Sequence, residues 1–356
     1  MIDFLVIGGG VAGLTAGAQL SGLGTVHLVE RESALGYHAS GRSAALFEEN
    51  YGLPTTVALN RLSRAHHDAG GYLSPRGLML VATDAEAAAF EESRSEMAMV
   101  EIPLEEARAM VPILSPEVTR AAYDPAAFDI DTDRLLQDCA RQIRAAGGTV
   151  TTGAEVTAIA RTEAGWAVTA GGDTVEARIL VNAAGAWADP VARMAGVAPI
   201  GLVPHRRSMA RLAAPGGHDT RTWPMIFGPG ESWYAKPDAG ALLVSPAEED
   251  PVEPQDAWAD DMVLAEGIAR YQEHVTEEVT RPIATWAGLR TFAPDRCLVL
   301  GPDPIAPGFV WCAGQGGYGF QSAPAASRLL ADLVAGRPPE LEAETVAALR
   351  PDRFRG

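Results

Sequence analysis

Cysteine is scarce in this sequence: Cys139, Cys297 and Cys312 are the only three in 356 residues, and they lie far apart. An odd number of widely spaced cysteines without a C-x-x-C pair excludes a disulfide framework and a zinc site with the usual ligand spacing. We expect reduced thiols that behave as buried apolar side chains, as in a cytoplasmic protein.

Long apolar runs are also absent, since no window approaches the roughly 18 consecutive apolar residues that a membrane-spanning helix requires. The apolar start of the chain has no basic residues ahead of it, contains Asp3 and runs directly into glycines, so it does not resemble a signal peptide. The sequence therefore predicts a cytoplasmic protein without a transmembrane segment.

Positive charge is sparse as well. The chain has 28 Lys and Arg residues against 46 Asp and Glu residues, a formal net charge of −18, and Lys236 is its only lysine. Binding to a polynucleotide needs clustered positive charge, and no such cluster is present, so nucleic acid is excluded as a partner. The composition, 47% hydrophobic and 21% charged, is that of a globular protein. The length predicts two domains, or one large α/β body with an inserted layer.

Hydrophobic patterning predicts a βαβ unit at the start of the chain, with a strand over 2–7, a helix over 11–23 and a strand over 25–30. Later patterns predict strands at 78–82 and 308–313, a strand meander over 149–181, a β-rich stretch over 202–245, and helices over 84–98, 131–146, 258–276 and 321–335. The adjacent His66 and His67 are predicted to lie on the surface of a helix.

A glycine motif joins the first strand to the first helix. Gly8, Gly10 and Gly13 form G-x-G-x-x-G, which allows a tight turn, close approach of the backbone to a pyrophosphate, and close packing of helix on strand. The helix N-terminus then presents free N–H groups to the phosphates. Glu30 ends the second strand, where its carboxylate can accept from ribose hydroxyls and would repel the 2′-phosphate of NADP. We predict a bound dinucleotide, either FAD or NAD.

Two later segments favour FAD. Residues 180–187 are an apolar strand that runs into small residues, where the backbone can pass close to a dinucleotide. Residues 308–319 repeat the order of strand, glycine loop and helix near the C-terminus. A second helix N-terminus there suits the negative edge of a reduced isoalloxazine. An ordinary glycine-rich turn is the alternative for this segment taken alone. Together the segments predict an extended flavin between the two ends of the chain.

At this point the sequence resembles the flavin-dependent D-amino-acid oxidase superfamily, which includes glycine oxidases, sarcosine oxidases and D-amino-acid dehydrogenases. Within that superfamily it is most similar to the bacterial D-arginine dehydrogenases. The resemblance covers nearly the whole chain, and its strings lie at residues 30–32, 36–45, 51–52, 130–133, 180–187, 205–208, 234–240, 286–290 and 315–319.

The resemblance implies an α/β fold, in which an FAD-binding, Rossmann-like domain of the glutathione-reductase type is interleaved with an α+β substrate domain. The substrate domain would be built on a mixed, largely antiparallel sheet. Residues 1–76, 147–201 and 285–356 would form the FAD-binding domain. Residues 77–146, in part, and 202–284 would form the substrate-binding domain.

The resemblance also implies which residues hold the FAD. These are Gly8, Gly10, Val11, Ala12, Gly13, Glu30, Arg31, Ser40, Gly41, Arg42, Ser43, Ala44, Ala45, Val156, Ala184, Gly185, Trp187, Gly314, Gly316, Gly317, Tyr318, Gly319 and Gln321. Residues 40–45 would wrap the pyrophosphate and ring, Val156 would contact the adenine side, and residues 314–321 would cap the ring. The cysteine that binds flavin covalently in sarcosine oxidases is absent, because Ala287 and Gly288 stand at the comparable point and Cys297 lies several residues beyond. We expect non-covalent FAD.

For the substrate, the resemblance implies that Arg290 holds a carboxylate, with Tyr234 and Arg207 beside it. Tyr51 would lie over the pocket as part of a lid, and Gln321 near the reacting nitrogen. A guanidinium fork and a directional hydroxyl donor are what carboxylate binding needs. Each residue has a plainer alternative, since an arginine can pair with a structural carboxylate and a tyrosine can simply pack.

Two departures from the arginine-specific enzymes bear on the substrate. The glutamate that receives a substrate guanidinium is replaced by Leu78, and a pocket histidine by Leu46. An unpaired guanidinium is costly to bury. The sequence therefore predicts neutral or apolar D-amino acids as substrates rather than D-arginine.

The predicted reaction is FAD-dependent oxidative deamination, in which hydride passes from Cα of a D-amino acid to flavin N5 and gives a 2-oxo acid and ammonia. The electron acceptor is a quinone, another carrier or O2, and we expect a dehydrogenase because Lys236 is not placed to point clearly at the flavin. Three alternatives stay open: a sarcosine-like secondary amino acid oxidase, a 2-hydroxy-acid oxidoreductase, and an NAD-binding dehydrogenase or non-catalytic dinucleotide-binding module.

Overall fold

The computed structural model describes residues 1–279 and 281–355. The strands are β1 (Ile2–Ile7), β2 (Val26–Val29), β3 (Leu46–Phe47), β4 (Leu73–Pro75), β5 (Leu78–Thr83), β6 (Val100–Glu101), β7 (Val118–Asp124), β8 (Phe128–Ile130), β9 (Thr149–Thr151), β10 (Val156–Thr162), β11 (Gly165–Ala170), β12 (Asp173–Asn182), β13 (Val203–Leu212), β14 (Met225–Phe227), β15 (Tyr234–Asp238), β16 (Ala241–Ser245), β17 (Asp250–Pro251), β18 (Ala284–Phe292), β19 (Val299–Pro302) and β20 (Phe309–Ala313). The α-helices are α1 (Val11–Leu20), α2 (Pro54–Gly70), α3 (Ala87–Glu96), α4 (Leu104–Met110), α5 (Thr132–Ala145), α6 (Ala188–Met194), α7 (Asp261–Glu273), α8 (Gly319–Ala335) and α9 (Ala343–Leu349).

The first sheet has a parallel centre in the order β9-β2-β1-β12-β20. β19 adds to β20 in the antiparallel sense, and β10 and β11 extend β12 as an antiparallel ribbon. The last four residues of β1 are buried, as a strand covered on both faces requires. Helix α1 lies between α5 and α8 and is almost wholly buried, which explains its unbroken run of small and apolar residues. The predicted βαβ unit is confirmed.

The second sheet runs β6-β7-β5-β14-β15-β16-β13-β17, and β18 also pairs with β13. Its pairs are antiparallel except for β14 with β5, so the predicted mixed, largely antiparallel sheet is confirmed. A small third sheet, β3-β8-β4, lies beside the segment that follows the glycine motif. The α/β fold class is as predicted. The division of the chain into domains stays a prediction.

Antiparallel pairing brings three predicted site residues toward one end of the second sheet. Arg207 on β13 is paired with Gly288 on β18, and Arg290 lies two residues further along β18. Tyr234 begins β15, which reaches β13 through β16. Residues distant in sequence therefore meet because the sheet aligns their strands.

One histidine prediction is wrong. His66 is exposed on α2, but His67 is fully buried, and its Nε2 lies 3.2 Å from the backbone oxygen of Gln321. Burial lowers the pKa of His67 to about 4. The reason is that α2 packs against α8, a contact that the sequence around His67 does not signal. Within the part of the chain that the structure describes, no helix is both long and apolar enough to cross a membrane.

Candidate active site

Two adjoining cavities lie where β1, β2 and β12 end, the edge at which open parallel sheets bind ligands. The first, the glycine cleft, is lined by Gly8, Gly10, Glu30 and Trp187, among others. The second, the arginine cavity, contains Arg290 and its neighbours. Both are lined by Val11, Ala39, Ser40, Leu289, Gln315 and Gly316, so the two cavities meet along these residues. Including their open mouths they hold about 1290 Å³ and 1220 Å³.

The glycine turn at the start of the cleft tolerates no side chain. Gly8 has φ +112°, and a Cβ there would overlap the backbone carbonyl of Ala183. Gly13 does not line the cleft; a Cβ on it would overlap the carbonyl oxygen of Gly8 and push α1 away from β1. The first glycine thus shapes the turn and the third permits close helix packing, as the motif predicts.

Glu30 is held in place at the end of β2. Its Oε2 accepts from the backbone N–H of Gly9 at 2.6 Å, and its Oε1 accepts from that of Glu32 at 2.8 Å. An ionised carboxylate has about four acceptor sites, so two stay available for hydroxyl groups in the cleft. Gly10 caps α1 without a side-chain bond, and the hydroxyl of Ser40 accepts from the N–H of Val11 at 3.0 Å.

Arg290 lies among hydroxyl groups at the centre of the arginine cavity. Its Nη1 is 3.5 Å from the Tyr51 hydroxyl, which in turn donates to Oε2 of Glu231 at 3.0 Å. Burial lowers the pKa of Arg290, but Tyr51, Tyr234 and Glu231 outweigh it, so this pKa is raised overall. Burial, reinforced by Glu231, raises the pKa of Tyr51. The cavity thus presents a fixed cation and a protonated hydroxyl.

Arg207 is only 6% exposed, and part of its guanidinium is unused. Its Nη2 donates to Oε1 of Glu249 at 3.1 Å, but Nε and Nη1 have no hydrogen-bond partner among the described residues. Among the described residues, the buried hydroxyl of Tyr234 has one hydrogen-bond partner, the Met209 thioether sulfur at 3.2 Å, which is a weak acceptor. Buried donors without good acceptors are costly, so this pattern points to an anionic ligand in the cavity.

Gln315 lines both cavities at their junction. Neither its Oε1 nor its Nε2 has a hydrogen-bond partner in the part of the chain that the structure describes, although both atoms are buried. A carboxamide in this state offers a donor and an acceptor to a ligand that spans the two cavities.

A family model for FAD dependent oxidoreductase matches residues 3–333 of the chain. The chain belongs to this family. It is 28% identical to the glycine oxidase of Pseudomonas aeruginosa over 365 residues, which cover 95% of this chain and 96% of that protein. Its fold is similar to the crystal structure of glycine oxidase from Geobacillus kaustophilus, with a TM-score of 0.82, 23% identity and 97% of both chains covered. The crystal structure of L-proline dehydrogenase from P. horikoshii also has a TM-score of 0.82, at 22% identity, with 99% of this chain and 97% of that chain covered.

The residues of this FAD-dependent oxidoreductase fit its cofactor. The glycine cleft accommodates a pyrophosphate at the N-terminus of α1, where Gly8 leaves no side chain in the way. Arg31 lies over the Trp187 ring at 4.6 Å, and both side chains line the cleft. The unpartnered amide of Gln315 lies where the dinucleotide would pass into the arginine cavity.

Most residues predicted to hold the FAD line one of the two cavities. Those lining the glycine cleft include Gly8, Gly10, Val11, Ala12, Glu30, Arg31, Ser40, Val156, Ala184, Gly185, Trp187 and Gly316; those lining the arginine cavity include Arg42, Ser43, Ala44, Ala45, Gly317, Gly319 and Gln321. The exceptions are Gly13, Gly41, Gly314 and Tyr318. Gly41 donates its N–H to the carbonyl of Gly36 at 2.5 Å, and the Tyr318 ring packs against that of Tyr51 at 5.2 Å.

The guanidinium of Arg42 is used within the protein. It pairs with Asp256 at 2.5 Å and donates to the carbonyls of Ala257 and Ala287 at 2.7 and 3.0 Å. The predicted contact of Arg42 with the pyrophosphate therefore stays a prediction. The contacts of its guanidinium within the protein do not favour it. Arg42 instead ties its loop to β18.

Lys236 lies behind the loop that lines the arginine cavity. Its Nζ contacts the carbonyl oxygen of Ala44, lies 3.3 Å from that of Ala45 and 2.8 Å from Asp129. Ala45 has φ +42°, a conformation that alanine rarely adopts, so the lysine stabilises a strained segment. Lys236 is not among the residues that line either cavity.

Gln321 lines the arginine cavity, but its carboxamide is occupied. Its Oε1 accepts from the N–H of Glu48 at 3.3 Å, and its Nε2 donates to the carbonyl of Tyr51 at 3.2 Å. It braces the segment that carries Tyr51. Its predicted position near a reacting nitrogen stays a prediction.

The structure adds two carboxylates and an apolar wall that the sequence did not reveal. Glu48 and Glu231 line the arginine cavity, and burial raises the pKa of Glu48 to about 7. Leu46 and Leu78 do form part of the wall, which Met97, Met225, Phe227 and Trp233 complete. The sequence offered one signal for these acids, which is their position. Glu48 stands three residues before Tyr51, and Glu231 stands three residues before Tyr234.

Proposed function

We propose that this oxidoreductase deaminates D-amino acids with neutral or apolar side chains, giving a 2-oxo acid and ammonia. One observation carries the proposal: Arg290, Arg207, Tyr51 and Tyr234 meet in one cavity that adjoins the glycine cleft. The free Nε and Nη1 donors of Arg207 support a carboxylate ligand there. The sequence strings shared with D-amino-acid dehydrogenases support the D configuration.

The protein's own residues orient the substrate. Arg290 and Arg207 grip the α-carboxylate, and the hydroxyls of Tyr51 and Tyr234 add directional donors. This grip fixes the neighbouring Cα toward the flavin side of the cavity. When bound, FAD would accept hydride from that carbon. Tyr51 lines the cavity, and its ring packs against that of Tyr318 at 5.2 Å.

The apolar wall supports uncharged side chains. Leu46 and Leu78 stand where a cationic side chain would need an acid, and the nearby carboxylate of Glu231 already accepts from Tyr51. The other acid of the cavity, Glu48, accepts from the N–H of Asn50 at 2.7 Å and has a pKa raised to about 7. A buried guanidinium would therefore find no dedicated anionic partner. We expect D-arginine to be a poor substrate.

Anaerobic mixing of the purified holoenzyme with D- and L-amino acids tests the proposal. Neutral D-amino acids are expected to bleach the flavin absorbance, whereas their L enantiomers, sarcosine and D-2-hydroxyglutarate leave it unchanged. Bleaching by sarcosine or by the hydroxy acid alone would contradict the proposal in favour of those substrate classes. A best rate with D-arginine would contradict the side-chain assignment.

We further propose that the enzyme is a dehydrogenase, passing electrons to a quinone or another carrier rather than to O2. Superoxide formation benefits from a fixed cation that is free to face O2 near the flavin. Arg207 and Arg290 would be taken up by the carboxylate of the substrate or product, and the amine of Lys236 is bound by Ala44, Ala45 and Asp129. Stopped-flow mixing of the reduced enzyme with O2 is expected to give slow reoxidation. Reoxidation as fast as substrate turnover would show an oxidase.

A further inference from the structure

Glu249 lies among three guanidinium groups, two of which, on Arg207 and Arg290, line the arginine cavity. Its Oε1 is 3.1 Å from Nη2 of Arg207 and 4.0 Å from Nη1 of Arg290. Its Oε2 is 2.7 Å from Nη2 of Arg296. The carboxylate thus binds directly to the same buried arginine that keeps two donors free for a ligand.

The charged groups around the cavity leave one positive charge uncompensated before any substrate arrives. Arg207, Arg290 and Arg296 contribute three positive charges, and Glu231 and Glu249 contribute two negative ones. Burial raises the pKa of the third acid, Glu48, to about 7, and the guanidinium of Arg42 is already paired with Asp256. The α-carboxylate of an amino acid takes up the remaining positive charge, whereas a second acid group on its side chain would add an uncompensated negative charge.

We propose that Glu249 is a positioning residue that sets the charge class of the substrate, because it neutralises Arg207 and so leaves the cavity able to hold one acid group but not two. The proposal rests on the amino acid oxidation proposed above and names the residue that restricts its substrates. Amino acids with neutral side chains are accepted and acidic ones rejected.

The mechanism of rejection is electrostatic. The α-carboxylate takes Arg290 and the free Nε and Nη1 of Arg207, and Glu249 holds the remaining Nη2. A side-chain carboxylate would then face the apolar wall, Glu231 and Glu48 without a cation of its own. Loss of the Glu249 charge would free the positive charge of Arg207 for a second acid. The Glu249 side chain is 34% exposed, so its charge is partly screened and the effect is moderate.

Replacing Glu249 by glutamine tests this directly, since glutamine keeps the shape and an acceptor for Arg207 but removes the charge. The readout is the ratio of kcat/KM for D-glutamine over D-glutamate, and for D-asparagine over D-aspartate, because each pair differs in a single charge. We expect the wild-type ratio to favour the amide and Glu249→Gln to lower it about tenfold. Glu249→Asp keeps the charge and should keep the preference.

Glu253→Gln is the matched control, because Glu253 is an exposed acid four residues further along the chain and, within the described residues, forms no ion pair with Arg207, Arg290 or Arg296. It removes one negative charge and should leave the ratio unchanged. An unchanged ratio in Glu249→Gln, or an equal shift in Glu253→Gln, would overturn the proposal. A structural defect would instead lower kcat/KM equally for the amide and the acid of each pair. This outcome would also count against the proposal.

Binding of inert acids separates this proposal from the proposed reaction. Calorimetry with the holoenzymes compares succinate with succinamate, which differ in one charge and need no turnover. Glu249→Gln should gain affinity for succinate relative to succinamate by about tenfold. If no D-amino acid is oxidised but this gain is seen, the reaction is wrong and the role of Glu249 stands. If oxidation occurs without the gain, the role of Glu249 fails.

Discussion

Arg290 and Arg207 reach the same cavity from paired strands, yet their surroundings differ. Arg290 faces the Tyr51 hydroxyl, which donates to Glu231, whereas Arg207 is anchored on one side by Glu249. We therefore expect Arg290 to take the greater share of a substrate carboxylate, and Arg207 to supplement it with the two donors that have no partner among the described residues.

Replacing Arg290 by methionine should raise KM for a neutral D-amino acid strongly. Losing one partner of a buried charge pair costs roughly 2–5 kcal/mol. The measurement is steady-state kinetics on the FAD-loaded variant, with the visible flavin spectrum as the check that the cofactor stays bound. Arg144→Met, on the exposed face of α5, removes an arginine far from the cavity and should leave KM as it is. An unaltered KM in the Arg290 variant would disprove its role.

Glu48 makes stability depend on pH. It is 3% exposed, and burial, aided by the charge of Asp124, raises its pKa from 4.5 to about 7. Below pH 4.5 the carboxyl is neutral in both folded and unfolded states. As the pH rises toward 7, the Glu48 carboxyl ionises first in the unfolded state, so the free energy of unfolding falls. Above pH 7 this loss of stability is complete. The shift corresponds to about 3 kcal/mol.

Glu48→Gln should remove this decline. Urea unfolding of both proteins between pH 4.5 and 8 gives the comparison, since every other titrating group is shared. We expect the variant to be the more stable protein near pH 8 and the two to converge toward pH 4.5. Parallel curves across this range would show that Glu48 titrates normally.

Sequence strings located the arginines and tyrosines of the cavity but not its acids. Arg290, Arg207 and Tyr234 stand in strings shared with a known family, so their surroundings were available from the sequence. Glu231 and Glu249 belong to connecting segments without a motif. They reach the cavity because the strands of the second sheet fix where those segments lie, and the spacing of Glu231 three residues before Tyr234 does not by itself place that acid in the cavity.

Among the elements, the first βαβ unit was the most predictable because its signals are local. A buried strand, a glycine turn and a helix of small residues each show in a few neighbouring positions. For helix α2, the sequence predicted only that His66 and His67 lie on a helix. Its buried positions, Thr56, Leu59, Asn60, Ser63 and His67, are mostly polar, so its inner face does not stand out by hydrophobicity.

Gly13→Ala should abolish FAD binding by separating α1 from β1. The added methyl would overlap the carbonyl of Gly8, which shapes the turn under the cofactor. Gly22→Ala, an exposed glycine where a Cβ meets ordinary contacts, should bind FAD normally. Quenching of free FAD fluorescence on titration with each apoprotein gives the affinities. Equal affinities in the two variants would show that the third glycine of the motif is dispensable.

Across the whole molecule, the cofactor space is built from both ends of the chain. The glycine motif supplies the pyrophosphate end, and the segment from Gln315 into α8 supplies the junction with the arginine cavity. β18 runs from the second sheet toward this junction and carries Arg290. The two sheets therefore bring substrate and cofactor residues together without either sheet containing the complete site.

This arrangement holds FAD by contacts alone, so denaturation should release it. None of the three cysteines, all of which lie in the described residues, lines either cavity. Burial raises the pKa of Cys139 and Cys312 to about 12, which keeps both as unreactive thiols, and the Cys297 sulfur lies 3.5 Å from the Thr55 hydroxyl. Gly288, which lines the arginine cavity, has no side chain to offer the ring. After acid precipitation of the holoenzyme, the flavin absorbance should be found entirely in the supernatant. A yellow pellet would demonstrate a covalent bond to the flavin and contradict the prediction.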